Sequence, residues 1–229
     1  MDDNVNDEIT EFVERTGRRP EEWRADWEAD YNIAPTDDIP VLIDSEKTRE
    51  LRFERAHWSL VPSWSETLKP KFPTFNARAE DIAQKSTWRK PVQSHRAIVL
   101  ARGYYEWQGP KGHKTPYFIR YPDGQLMGFA GLYSWWRDRS KADDDPERWV
   151  LTATILTSDA VQTLSDIHDR NPVPLPRELW DHWIDPTVVG DQALVDEAVR
   201  AALPVADALV FDRVGPVVGD GPELIRPVG

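Results

Sequence analysis

The chain has 229 residues, 40% of them apolar, and 28 Lys/Arg against 40 Asp/Glu give a net charge of −12. It contains no cysteine, which excludes disulfides, zinc–thiolate sites and thiol chemistry from these residues. No apolar run approaches the roughly 20 residues of a membrane-spanning helix, and the acidic start Met1-Asp2-Asp3-Asn4 has no basic-then-apolar leader, so a cytoplasmic protein is expected.

In chain order, Ile9, Phe12 and Val13 predict a helix over 8–16 that ends at Gly17. Residues 18–30 read as loop or frayed helix, and Pro35 stops any helix through Asn32-Ile33-Ala34. Val41–Ile43 and Leu51–Trp58 read as strands around a polar turn at Asp44–Arg49. Pro62, Pro70 and Pro73 make 59–75 an irregular, aromatic-bearing loop, and a helix is predicted over 78–90 with Ile82 and Ala83 on one face. Strands are predicted at Ala97–Ala101, Tyr104–Trp107, Tyr117–Tyr121 and Leu126–Trp135, with turns at 109–112 and 122–124. A polar, mobile insertion at Arg137–Glu147 precedes a strand at Trp149–Leu156. A short helix at Asp159–Leu164, an extended Asn171–Pro176, helices at Arg177–Ile184 and 191–203, and a strand at Leu209–Phe211 complete the chain. With no repeat and no linker, this order predicts one α+β domain over 1–229, built on a single curved, mostly antiparallel sheet with flanking helices.

Charge is unevenly placed. Between Lys69 and Arg120 stand eleven Lys/Arg and three acids, a net of +8 that leaves −20 on the rest of the chain. Such asymmetry predicts a basic face on an acidic body, and the eleven tryptophans include candidates for stacking on bases.

No phosphate-binding Gly-rich loop or nucleophile elbow is present, and the five histidines lack metal-ligand spacing, so neither a metal nor a cofactor is expected. Three segments carry candidate chemistry. In Phe75-Asn76-Ala77-Arg78-Ala79-Glu80, Asn76 either caps the following helix or points its amide into a cleft, with Arg78 available to a phosphate. In Gly103-Tyr104-Tyr105-Glu106-Trp107, strand alternation puts Tyr104 and Glu106 on one face, Tyr105 and Trp107 on the other. Glu106 is then either a solvent-facing partner of Arg102 or Lys114, or a functional carboxylate. In Asp166-Ile167-His168-Asp169-Arg170-Asn171-Pro172, His168 is either a structural hydrogen-bonder or a proton carrier.

Together with Tyr31-Asn32-Ile33-Ala34-Pro35-Thr36, Trp58-Ser59-Leu60-Val61-Pro62-Ser63-Trp64, Lys114-Thr115-Pro116-Tyr117 and Ala130-Gly131-Leu132-Tyr133, these segments resemble the SOS response-associated peptidase family, the abasic-site processing proteins, over residues 31–187. The acidic helix and tail at 188–229 lie beyond that stretch. The resemblance implies a curved β-core with a basic groove, single-stranded DNA with abasic sites as partner, and a monomer without metal, cofactor or membrane contact. It implies that Asn76 orients the opened sugar, that Glu106 shuttles protons, and that His168 protonates the sugar hydroxyl. It also implies DNA contacts at Asn32, Trp64, Arg78 and Trp107, with Trp64 as a wedge at the lesion. Family members begin Met-Cys-Gly-Arg and crosslink through that cysteine after removing their own Met. This chain begins Met-Asp-Asp-Asn and has Asn171 where the family has Met. Either an N-terminal piece is missing or the nucleophile is lost; the position of the 8–16 helix favours the first. Two rivals remain: a single-strand binding module without a nucleophile, and a small-substrate hydrolase using Glu106 and His168.

Overall fold

The computed structural model describes residues 4–15, 29–45, 50–165 and 167–229. The predicted end of the first helix at Thr16-Gly17, the reading for 18–28, the 46–49 part of the turn at Asp44–Arg49 and Asp166 lie outside them. Val5, Ile9, Phe12 and Val13 form one buried stripe, and this stripe makes Asn4–Arg15 an amphipathic helix, α1. At the other end, Asp191 accepts from the N–H of Leu194 and caps α4, Gln192–Asp207, whose Leu194, Val195, Ala198, Ala202 and Ala206 face inward.

Strands β1 (Asp38–Asp44), β2 (Leu51–Trp58), β3 (Asn76–Arg78) and β4 (Arg96–Ala101) come first. β5 (Gly103–Gln108), β6 (Thr115–Arg120), β7 (Met127–Arg137) and β8 (Trp149–Asp159) follow. β9 (Arg170–Pro172) and β10 (Val210–Arg213) are the last. They form two sheets rather than the single one expected. The larger has the order β2-β1-β4-β7-β8-β3, with β9 also on β8. Parallel pairing of His57 with Thr152 and Trp58 with Ala153 joins β2 to β8, closing β1, β2, β4, β7 and β8 into a ring. The smaller sheet, β10-β6-β5, is antiparallel.

Gly103 marks the passage between the sheets. A Cβ there would lie 2.5 Å from the Ile119 carbonyl oxygen and 2.5 Å from the Phe118 ring, so only glycine lets β5 approach β6 this closely. One face of the large sheet, through Leu42, Ile98, Leu100, Ala130 and Leu132, packs against the helices. The other, through Val41, Val99, Phe129, Ala153 and Ile155, packs against Ile119, Tyr104 and Tyr117 of the small sheet.

Two helix expectations fail locally. Residues 78–90 are not one helix: Asn76–Arg78 pair in parallel with Ile155–Thr157. Asp81 then takes a left-handed φ of 54°, a short 3₁₀ turn covers Ile82–Gln84, and α2 spans only Ser86–Ser94. The exposed edge of β8 outweighs the local helical pattern. Asp159–Leu164 is likewise not a helix, because Asp159 ends β8 in pairing with Arg170. The expected helix at Arg177–Ile184 divides into a 3₁₀ turn, Arg177–Leu179, and α3, Trp180–Ile184.

Candidate functional site

Strand alternation places Glu106 on the inward face of β5 with Tyr104, while Tyr105 and Trp107 face outward in an aromatic cluster with Phe118. The Glu106 carboxyl is half-buried, and its pKa is raised. Burial is the main cause; the charge of His168, the N–H of Trp107 and Lys114 oppose it, and Asp169 adds to it. Arg102 is not its partner, because that guanidinium binds Glu8 of α1 and the Gly124 carbonyl. Burial also raises the phenol of Tyr104, reinforced by the charge of Glu106.

His168 is exposed and sits between the end of β8 and the start of β9. Its Nδ1 accepts from the backbone N–H of Arg170 at 3.0 Å, with the Arg170 carbonyl at 3.1 Å and Asp169 Oδ1 at 3.2 Å. Nδ1 thus has an N–H to receive when the ring is neutral and oxygens to donate to when it is cationic. The ring is therefore a structural hydrogen-bonder through Nδ1 on an exposed side chain.

Arg170 links two of the sequence motifs. Its guanidinium makes a two-pronged pair with Glu80 at 2.8 and 3.0 Å, reaches Asp159 at 2.8 Å and donates to the Thr157 carbonyl at 2.7 Å. The same carbonyl accepts from the N–H of Ala79 at 2.9 Å. Arg170 holds the Glu80 carboxyl below its usual range. β3 and the His168 turn are thereby fixed on either side of β8. Asn76 caps no helix; its amide and the guanidinium of Arg78 are exposed and have no hydrogen-bond partner among the described residues.

The remaining predicted residues lie elsewhere. Trp107 is 40% exposed on the outward face of β5. Near it, Asn32 donates from Nδ2 to the Gly219 carbonyl, and Tyr31 accepts at its carbonyl from the hydroxyl of Tyr105. Burial and the charge of Asp220 push the Tyr105 phenol up to about 12, so it remains a donor at neutral pH. Trp64 is 64% exposed in the 59–75 loop, whose base is pinned by Trp136 Nε1 donating to Ser65 and by Trp58 Nε1 donating to Phe75. Sequence reading missed Phe72, 75% exposed on the same loop, although its setting in Lys69-Pro70-Lys71-Phe72-Pro73 was the available signal. It also missed Glu80, Tyr105 and Asp220. Three of the eleven basic residues cannot serve a groove: Arg96 is buried, and Arg102 and Arg120 are paired with Glu8 and Asp212. Among the described residues no cluster of three or more His/Asp/Glu has metal-binding geometry, and no helix is long and apolar enough to cross a membrane.

A half-buried carboxyl under the field of a histidine, on a ring-closed α+β core, defines the class of fold and the candidate site. Comparison with known proteins gives the particular family. The chain belongs to the SOS response associated peptidase (SRAP) family, whose pattern matches residues 4–220. It is 34% identical over 212 residues to the abasic site processing protein YMR114C of Saccharomyces cerevisiae, which covers 88% of this chain and 54% of the yeast protein. It is 34% identical over 201 residues to the abasic site processing protein YedK of Escherichia coli, covering 86% of this chain and 84% of that one. A crystal structure of a protein from Bacteroides thetaiotaomicron shares the fold, with a TM-score of 0.74, 22% identity and coverage of 96% and 95% of the two chains.

Proposed function

We propose that this protein binds single-stranded DNA at abasic sites and processes them, with Glu106 and His168 as proton carriers and Asn76 orienting the opened sugar. The observation that carries this reading is the Glu106 carboxyl, desolvated and raised in pKa yet under the opposing charge of His168. An abasic sugar rests mainly as a closed ring. To open, its anomeric hydroxyl loses a proton and its ring oxygen gains one, and a carboxyl together with an imidazole supplies an acceptor and a donor for that exchange. Arg78 holds a phosphate, while Trp64 and Trp107 stack on or wedge between bases. The protein acts as a monomer in the cytoplasm, where its DNA lies.

The freed aldehyde requires a nucleophile. A stable thiazolidine needs a thiol two bonds from an amine carbon, and the 229 residues contain no cysteine. Without a thiol, an amine of these residues can form only a reversible Schiff base, with loss of water.

The test is a labelled single strand with one abasic site, set against the undamaged strand. Preferential retention of the abasic strand, with no heat-stable adduct unless borohydride is added, is expected. A version preceded by Met-Cys-Gly-Arg is expected to form a heat-stable adduct. Equal affinity for damaged and undamaged strands, or an inert Cys-bearing version, would overturn the reading.

A further inference from the structure

The tail at 214–228 reaches back to Tyr31-Asn32, whose Asn32 the family resemblance reads as a DNA contact. Asp220 Oδ1 accepts from the backbone N–H of Tyr31 at 2.6 Å, and the Gly219 carbonyl accepts from Asn32 Nδ2 at 2.9 Å. From β5, the Tyr105 hydroxyl donates to the Tyr31 carbonyl at 2.8 Å. Both backbone polar groups of Tyr31 are therefore held, one by the tail and one by the small sheet. The tail is itself anchored: Val214 N–H donates to the Pro116 carbonyl at 3.1 Å, Val228 N–H to the Arg213 carbonyl at 2.9 Å, and Leu224 is buried. Gly219 takes a φ of 84°, where a side chain would be strained. Beyond Asn32, Asp37 closes a turn by accepting from Ala34 N–H at 2.9 Å.

We propose that Gly219 and Asp220 are positioning residues for the DNA-binding segment Tyr31-Asn32, acting together with Tyr105. The proposal rests on the reading of Asn32 as a DNA contact. With Nδ2 bound to Gly219, the Asn32 amide offers its carbonyl oxygen and second hydrogen in a fixed orientation, so ordering is complete before DNA arrives. Simple electrostatics predicts the opposite effect for Asp220, an exposed carboxylate that repels phosphates. The two effects differ in sign, and two variants separate them. Asp220→Ala removes charge and acceptor; Asp220→Asn removes the charge but keeps an acceptor oxygen for Tyr31.

The measurements are single-stranded DNA affinity and amide hydrogen exchange at Tyr31, with thermal melting as a folding control. Positioning predicts that Asp220→Ala binds about tenfold more weakly, the loss of one carboxylate hydrogen bond. It predicts that Asp220→Asn binds at least as tightly as the unaltered protein. It also predicts that Tyr31 exchange without DNA accelerates in the Ala variant alone. Equal tightening in both variants, equal weakening in both, or unchanged exchange in the Ala variant would overturn the proposal. Should the unaltered protein bind no single strand, the functional reading fails, and the exchange measurement still decides whether the tail holds Tyr31.

Discussion

Arg96 offers the sharpest test of how this fold is held together. It is 1% exposed, and its guanidinium donates to five backbone carbonyls. Two belong to Val92 and Gln93 at the end of α2, one to Trp183 in α3, and two to Asp185 and Val188 just beyond it. One side chain thus closes two helix ends that would otherwise leave unpaired acceptors. The contacts to Trp183 and Val92, at 2.6 and 2.8 Å, lie in fully buried surroundings. Arg96→Met keeps the volume but strands both carbonyls, at about 1–3 kcal/mol each. Release of a buried charge offsets part of that, leaving a net loss of about 2–4 kcal/mol. That is a large share of the roughly 5–15 kcal/mol of an ordinary domain. Arg96→Lys keeps the charge but presents three donors at one point, so its loss should fall between the two. Urea unfolding should show a lower midpoint at unchanged slope, while folded Arg96→Met should bind DNA as before. A loss below about 1 kcal/mol, or full rescue by Lys, would refute the reasoning.

In the version preceded by Met-Cys-Gly-Arg, Glu106→Gln and His168→Ala should each slow reaction with an abasic strand by about 10²–10⁴-fold with little change in DNA affinity, read by single-turnover kinetics. Because the folded state raises the Glu106 pKa above its ordinary 4.5, stability should fall as pH rises from that value through the raised one. Glu106→Gln should flatten that part of the profile and be the more stable protein at neutral pH, as urea melts across pH will show. DNA affinity should fall with salt with a log–log slope of about −2 if three phosphates are neutralised, and Arg78→Ala should reduce that slope by about 0.7. Thermal stability should move the other way, because salt screens the self-repulsion of the net −12. Trp64→Ala should weaken single-strand binding by about 1–3 kcal/mol, measured by fluorescence anisotropy.

Most strands were legible because β-branched and aromatic runs between Pro/Gly turns report a pleated surface directly. β3 was not, since Asn76-Ala77-Arg78 has no strand pattern and exists only because β8 offers an edge 79 residues further on, at Ile155. The faces of β5 were legible from alternation alone, which separated Glu106 from Trp107. The basic stretch misled in part: a charge count cannot tell Arg96, a buried helix clamp, from Arg78, an exposed cation. The second sheet was hidden for a similar reason, because the turn at Gly103 depends on how closely Phe118 and Ile119 approach.

The features that assemble the site are contacts between distant residues. Glu80 meets Arg170 across 90 positions, and Tyr31 meets Asp220 across 189. In each pair one member carries a charge that, read alone, argues against a DNA-binding surface. Their partners change the meaning. Glu80 neutralises an arginine that ties β3 to the His168 turn. Asp220 receives a backbone N–H rather than presenting an uncommitted carboxylate. An acidic chain can therefore keep an exposed cation such as Arg78 unopposed where a neighbouring carboxylate, here Glu80, is committed to another arginine, and on the proposed function Arg78 is then left to meet phosphate. On the proposed function, the remaining acids, spread over the rest of the body, oppose encounter with damaged and undamaged DNA alike. On the same proposed function, selectivity then rests on the chemistry at Glu106 and His168 rather than on overall attraction.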